Sequence, residues 1–322
     1  MRSRTVALAA RDSLDARVVV IGDDCVAPLL RDRGLRFTLT GTEDEAAEAA
    51  LDANPDIVFF DALALDGAIF HRLRTGRTAV GLSPVFTHLR DLDLAFHRTR
   101  ELSHELQAVD RAGRLRAGLE YAVVRPGCEP IASDAFDRAV SAERLSLAIS
   151  MGGGDAGNLT LESLRAVAEV ERPLLIWCLL GEGYGHCYNQ LAAVAASARH
   201  EIVLAKTSDS MWRILSQCAL AVLAGGTVTY EAARAGLPAI NLFPIAEHRF
   251  LARELIELGA ARECAPDRLA ALVAELERDR DRLRAMRERC ASLLDGQGAE
   301  RIVRETIAHH QSRTRAAAHA AA

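Results

Sequence analysis

Residues 224–244 read AGGTVTYEAARAGLPAINLFP. The run before them, Cys218–Gly225 (CALAVLAG), is short and apolar and ends at glycine, which is the pattern of a buried parallel strand. After the glycines, Tyr230, Ala233 and Leu237 recur at helical spacing, and Gly236-Leu237-Pro238 stops the helix. A second apolar run, Ala239–Phe243, closes at Pro244. The stretch is therefore a strand–turn–helix–strand unit, with Thr227 expected at the helix N-cap. Glycines at 225 and 226 would let a ligand approach the backbone at the positive end of a helix. Gly-Gly turns also join strands to helices with no ligand, so the turn alone does not decide between phosphate site and plain connection.

A second segment has the same construction. Ile149–Val167 reads ISMGGGDAGNLTLESLRAV: an apolar strand, then Gly152, Gly153 and Gly154, then a helix through Leu161, Leu164 and Val167 that Asn158 or Thr160 would cap. It matches neither the Walker pattern nor GxGxxG. In one parallel sheet both turns would lie on the same edge, where ligands bind. Together they could offer backbone donors to a diphosphate. Glu231, one turn into the helix after Gly226, could accept bonds from two vicinal ribose hydroxyls, or simply be an exposed carboxylate near a positive helix end. Two further loops follow strand ends. Ala246–Arg249 carries Glu247 and His248, which could reach a sugar or phosphate or be a solvated helix start. Gly181–His186 is a glycine loop whose His186 could reach substrate or sit on the surface. Earlier in the chain, Pro55–Gly67 (PDIVFFDALALDG) places Asp61 at a strand's C-terminal end, as a catalytic carboxylate or a helix cap.

Strand-like and helical stretches alternate over most of the 322 residues. Strands are expected at Arg17–Gly22, Ile57–Asp61, Thr78–Ser83, Leu92–His97 and Tyr121–Arg125. In the second half they are expected at Leu147–Gly152, Leu174–Gly181, Glu201–Lys206, Leu220–Gly225 and Ala239–Pro244. The expected class is α/β with two doubly wound, Rossmann-like domains facing a cleft. The expected boundaries are an N-terminal domain over 1–140, a C-terminal domain over 141–265, helices packing back over 266–310, and a disordered tail over 311–322. Doubly wound domains usually open on a strand, whereas Met1–Leu14 is helical in pattern. The expectation is that the first strand and its loop are missing ahead of this helix.

Composition narrows the function. Net charge is −5 at pH 7, so general attraction to nucleic acid is not expected. Cys25, Cys128, Cys178, Cys187, Cys218, Cys264 and Cys290 form no CxxC pair and no metal constellation. Their odd number and apolar settings fit free thiols in a reducing compartment. With no apolar leader and no membrane-length run, a cytoplasmic protein is expected, peripheral membrane contact remaining open.

These motifs have a family resemblance. AGGTVTYEAARAGLPAI resembles the nucleotide-binding signature of GT-B glycosyltransferases of the MurG kind. MGGGDAGNLTLESL is similar to the UDP-sugar hydrolase of pseudaminic acid synthesis and its spore-coat polysaccharide relatives, as are PDIVFFDALALD and YAVVRP at Tyr121–Pro126. The resemblance spans roughly Arg17–Ala261. It implies a UDP-sugar as substrate, no cofactor and no metal. The diphosphate would lie at Gly225, Gly226 and Thr227, the ribose at Glu231, Gly152–Gly154 and Asn158 on the facing side, and Glu247 and His248 near the sugar. It implies sugar transfer from the nucleotide-sugar to an acceptor in glycan or cell-surface polysaccharide synthesis, with Asp61 the nearest candidate base. Hydrolysis of a UDP-sugar and non-catalytic nucleotide-sugar binding are the alternatives. The departures are specific. The family's histidine-bearing glycine loop has no counterpart, although Arg2 or Arg4 matches the arginine that ends it. Gly81-Leu82-Ser83-Pro84 stands where the hydrolase branch has acidic residues, and Val228 stands where threonine is usual.

Overall fold

The computed structural model describes residues 2–22, 27–31, 34–82, 86–206 and 211–321. Cys25, Ser83 and Pro84 lie outside them. Two compact units divide the chain, Met1–Arg125 with Gly296–Ala322, and Pro126–Asp295.

The first unit contains strands β1 (Arg17–Ile21), β2 (Arg36–Thr40), β3 (Ile57–Phe60), β4 (Thr78–Gly81), β5 (Leu94–His97) and β6 (Leu115–Ala117). Its helices are α1 (Arg2–Ala10), α2 (Ala27–Arg31), α3 (Glu43–Asp52), α4 (Gly67–Arg74) and α5 (His104–Arg111). All pairings are parallel. They form a two-stranded sheet, β1-β2, and a four-stranded sheet, β3-β4-β5-β6. The second unit contains β7 (Leu145–Ser150), β8 (Leu174–Leu180), β9 (Glu201–Lys206), β10 (Leu220–Leu223), β11 (Ala239–Asn241) and β12 (Ala261–Glu263). Its helices are α6 (Ser133–Ser141), α7 (Leu159–Ala168), α8 (Tyr188–Ser197), α9 (Met211–Leu215), α10 (Thr227–Ala235), α11 (Ala246–Glu257), α12 (Leu269–Arg278) and α13 (Asp281–Cys290). The final helix, α14 (Gly298–Ala321), belongs to the first unit.

In the second unit the strand order is β12-β11-β10-β7-β8-β9, all parallel. Burial follows from that order. Every residue of β7 and β10 is buried, while β9 and β12 at the edges expose their ends. Central strands covered by helices on both faces need apolar side chains in both directions, hence LSLAIS and LAVL. Each fully buried Leu or Ile here stabilises the unit by about 1.5–3 kcal/mol relative to exposure. The thiols of Cys178, Cys218 and Cys290 are free, buried, and pushed up to about 12 by that burial.

The first unit's core joins α1 through Val6 and Ala10 to Val80, Leu82, Leu94 and Phe96 of the sheet and to Ile302 and Val303 of α14. Polar contacts anchor α14 further. Glu305 accepts from Arg116 at 3.1 Å and from the Tyr121 hydroxyl at 2.8 Å.

Several local expectations change. Tyr121–Arg125 is not a strand. Its apolar residues are buried, with Val123 packed in the same core as α14, so burial rather than sheet pairing explains their character. The strand of that region is β6, and β2 and β12 were not anticipated; short or charge-bearing strands carry little periodic signal. The division of the chain falls at Arg125/Pro126 rather than near residue 140. The amphipathic α6 buries Phe136 and Val140 in the second unit's core. The segment read as a tail continues α14 to Ala321.

One buried group links the core to pH. His97 is 1% exposed and its Nε2 lies 2.9 Å from the Glu101 carbonyl oxygen. Burial lowers its pKa from the usual 6.5 to about 4. The ring is neutral in the folded state and protonates more readily when unfolded. Its contribution is therefore present above pH 6.5 and lost as the pH falls toward 4, amounting to about 3 kcal/mol over that window. Urea unfolding of the parent should weaken between pH 7 and 4.5, and His97→Gln should flatten that decline. An unchanged decline would remove His97 from the explanation.

Candidate functional site

The second sheet reverses direction between β7 and β10: β8 and β9 lie to one side, β11 and β12 to the other. Such a switch point is where open α/β sheets bind ligands, beyond the strands' C-terminal ends. Leu223 is in register with Ser150. Gly225 and Gly152 thus each lie two residues beyond paired positions on neighbouring strands.

The turn after β10 is tightly specified. Gly225 has φ +78, and an added Cβ would lie 2.3 Å from Cε1 of Phe243. Only glycine meets both conditions. Gly226, in an extended conformation, is the N-cap of α10, with no side-chain cap bond. Thr227 is consequently the first helical residue rather than the cap. His248 folds over this turn. Its Nδ1 is 3.1 Å from the Ala224 carbonyl oxygen. A carbonyl only accepts, so Nδ1 carries a proton in this contact. The His248 Cε1 lies 3.9 Å from where a Cβ on Gly226 would be. Gly225, Gly226, Thr227 and His248 are brought together. The side chain of Glu247 lies outside the described residues.

The turn after β7 is built differently. Asp155, at φ 44, accepts from the Leu159 and Thr160 amides at 2.8 and 2.9 Å. It therefore caps α7 in place of Asn158 or Thr160. Asn158 is at the N-cap position in the left-handed conformation, and its Oδ1 accepts from the Tyr184 hydroxyl at 2.9 Å. The Gly181–His186 loop packs onto this turn. A Cβ on Gly181 would lie 2.4 Å from the Gly152 carbonyl oxygen, and His186 Nε2 is 2.7 Å from the Asp155 carbonyl oxygen. Two non-glycine residues at positive φ in one short loop mark stored backbone strain, which concentrates at functional sites. The Asp155 carboxylate occupies the first amides of α7, whereas the N-cap of α10 is a glycine, which has no side chain to place there.

Glu231 is 0% exposed. The Trp212 indole Nε1 donates to its Oε2 at 3.3 Å, and its backbone carbonyl accepts from Cys128 Sγ. The alternative of an exposed helix carboxylate is thereby excluded. Trp212, Phe243, Tyr184 and Asp155 all shape the site, and none was singled out in the sequence. Asp155 had a signal, four residues before the start of α7, masked by the more usual capping residues Asn158 and Thr160.

Asp61 belongs to the first unit, just after β3. It accepts from Arg2 Nε at 3.0 Å and the Ser3 amide at 3.2 Å. Burial alone would raise its pKa, but the Arg2 guanidinium and the Arg2 and Ser3 hydrogen bonds hold it below the usual carboxylate range. A carboxylate so engaged is a weak proton acceptor. Among the described residues no cluster of His, Cys, Asp and Glu is arranged to hold a metal ion, and no helix is long and apolar enough to cross a membrane.

No family model and no curated protein matches the sequence. Solved structures do match the fold. MurG of Acinetobacter baumannii aligns with a TM-score of 0.64 at 16% identity, over 94% of this chain and 93% of its own. Anabaena HepE, solved with UDP-glucose, aligns with 0.64 at 14% identity over 95% of each chain. S. aureus MnaA, solved with UDP, aligns with 0.63 at 15% identity, over 94% of this chain and 91% of its own. With its parallel, helix-covered sheets and these full-length matches, the chain has the GT-B fold.

Proposed function

We propose that this protein is an enzyme acting on a nucleotide-sugar, transferring the sugar to an acceptor in the synthesis of a glycan or surface polysaccharide. The observation that carries this reading is the glycine turn at the start of α10. It is placed at the sheet's switch point, is N-capped by a glycine, and is overlain by His248. The diphosphate would be held by the amides at Gly225, Gly226 and Thr227, with the His248 side chain beside it. Gly152–Gly154 would supply a backbone wall. The HepE and MnaA structures, which contain UDP-glucose and UDP, support a uridine nucleotide.

As the bond from sugar to diphosphate breaks, negative charge grows on the leaving group. Preorganised amides at a helix N-terminus stabilise that charge without reorganising, an effect worth several kcal/mol per well-placed donor set. No metal is assigned a part in the step. A general base would take the acceptor's hydroxyl proton. The engagement of Asp61 with Arg2 and Ser3 weakens it for that role. Glu231 would meet the ribose by exchanging the Trp212 indole for the ribose hydroxyls.

Incubating the purified chain with UDP-sugars, with and without candidate acceptors, tests the reading. UDP release that depends on acceptor supports transfer. Release at the same rate without acceptor supports hydrolysis instead. No release and no UDP-induced stabilisation would overturn both.

A further inference from the structure

At the end of α10 away from its glycine turn, the second unit holds a cavity of about 350 Å³. Three helices contribute to its wall: α6 through Ser133 and Asp137, the last turn of α10 through Arg234, and α13 through Arg284, Arg287 and Glu288. The wall is basic, since three guanidinium groups against two carboxylates leave a net charge of +1. The N-cap of α6 is Ala132, which has no side-chain acceptor to place on the first amides. The positive end of that helix adds to the same field.

Arg287 is the central group. Its Nη1 donates to the Gly236 carbonyl at 3.1 Å, its Nη2 donates to the Ile131 carbonyl, and the guanidinium lies over the Phe136 ring at 4.6 Å. All three partners are neutral, and Arg287 forms no ion pair among the described residues. Burial lowers its pKa from the usual arginine value, an effect that Asp137 counters in part. Holding the last carbonyls of α10 explains why an arginine stands here. It does not use the whole group, because an arginine has five N–H donors and these contacts engage two.

The other two arginines are also tied to neutral groups. Arg234 Nη1 donates to the Leu294 carbonyl at 3.3 Å, and Arg284 Nη2 donates to Ser141 Oγ at 3.0 Å. Their ion pairs are loose or exposed. Glu129 lies 4.0 Å from Arg234 and is 77% exposed. Asp281 accepts from Arg284 at 2.8 Å but is 89% exposed, and Asp137 is 3.9 Å from the same guanidinium. Exposed pairs of this kind are worth little, so they yield readily to an anion that all three arginines reach together.

Guanidinium forks match phosphate oxygens two at a time. The cavity is larger than one phosphate fills and falls within the range of small-molecule sites. Asp137 and Glu288 repel a phosphate but accept from hydroxyls. We propose that this cavity binds a small phosphorylated molecule bearing hydroxyl groups, with its phosphate on Arg234, Arg284 and Arg287 and its hydroxyls on Asp137 and Glu288. The inference does not depend on the proposed function, which concerns the other end of α10.

Calorimetric titration of the full chain with glucose 6-phosphate, inorganic phosphate and glucose tests it, with amide chemical shifts followed in the same titrations. Glucose 6-phosphate should bind most tightly, phosphate more weakly, and glucose not measurably. The shifts should fall on Ser133, Arg234 and Gly236 rather than on Gly225–Thr227. Arg234→Gln and Arg284→Gln should each weaken glucose 6-phosphate about tenfold or more. Arg287 is left in place because it also holds the end of α10. Asp137→Asn should tighten inorganic phosphate and narrow the advantage of glucose 6-phosphate over it. Absence of glucose 6-phosphate binding at millimolar concentration, affinity that both arginine variants retain, or shifts confined to Gly225–Thr227 overturns the proposal. Equal affinity for glucose 6-phosphate and phosphate also overturns it, leaving the two carboxylates without a ligand.

Discussion

Gly225→Ala is expected to destabilise the second unit by about 2–5 kcal/mol and to abolish UDP binding. Two independent terms add. A non-glycine residue at φ +78 costs about 1–2 kcal/mol. The new methyl would also meet the Phe243 ring, an overpacking term of about 1–3 kcal/mol. The double variant Gly225→Ala/Phe243→Ala separates them: it relieves the steric term and leaves the backbone term, so the two substitutions should couple favourably by about 1 kcal/mol or more. Urea unfolding of the four proteins measures this. A Gly225→Ala midpoint within error of the parent would mean that the turn is not the constrained element described above.

Glu231 separates a ribose-binding carboxylate from a purely structural one. Glu231→Gln keeps the side chain's volume and an oxygen for the Trp212 indole, so the folded state should lose less than about 1 kcal/mol. UDP at a hundredfold excess over its Kd should stabilise the parent by about 2.7 kcal/mol, and the Gln variant should lose most of that gain. Glu231→Ala should additionally destabilise the protein by about 1–3 kcal/mol, because a buried indole N–H loses an acceptor. Tryptophan emission gives a second readout. UDP binding should shift it in the parent and not in Trp212→Phe, which retains Trp177. A Gln variant with the full UDP stabilisation would show that Glu231 serves the core alone.

Several features are local and were readable along the chain. The apolar runs before Gly152 and Gly225 are short because buried parallel strands are short, and the glycines after them mark turns that side chains would obstruct. Alternation of such strands with amphipathic helices implies a parallel sheet, and a parallel sheet puts both turns on one edge. The fold class and the grouping of Gly225, Gly226 and Thr227 follow from those patterns. Asp61 at a strand end was legible as a position, but its partners Arg2 and Ser3 are 59 and 58 residues away. No spacing rule reaches that far.

What the tertiary structure alone decided is how each candidate group is used. Asp155, four residues before α7, reaches two of its amides because the backbone enters the left-handed region there, and that choice depends on the packing of the Gly181–His186 loop. The carboxylate of Glu231 is buried because α9 sets Trp212 against it. His248 reaches the α10 turn because β11 lies beside β10. Likewise RVVVI announces an interior strand by its residues, yet among the described residues β1 pairs with β2 alone. Sequence determines which chemistry and which element types are present, since those depend on neighbours a few residues apart. Capping, burial and strand pairing are settled between segments far apart in the chain, and so they appear only once the chain is folded.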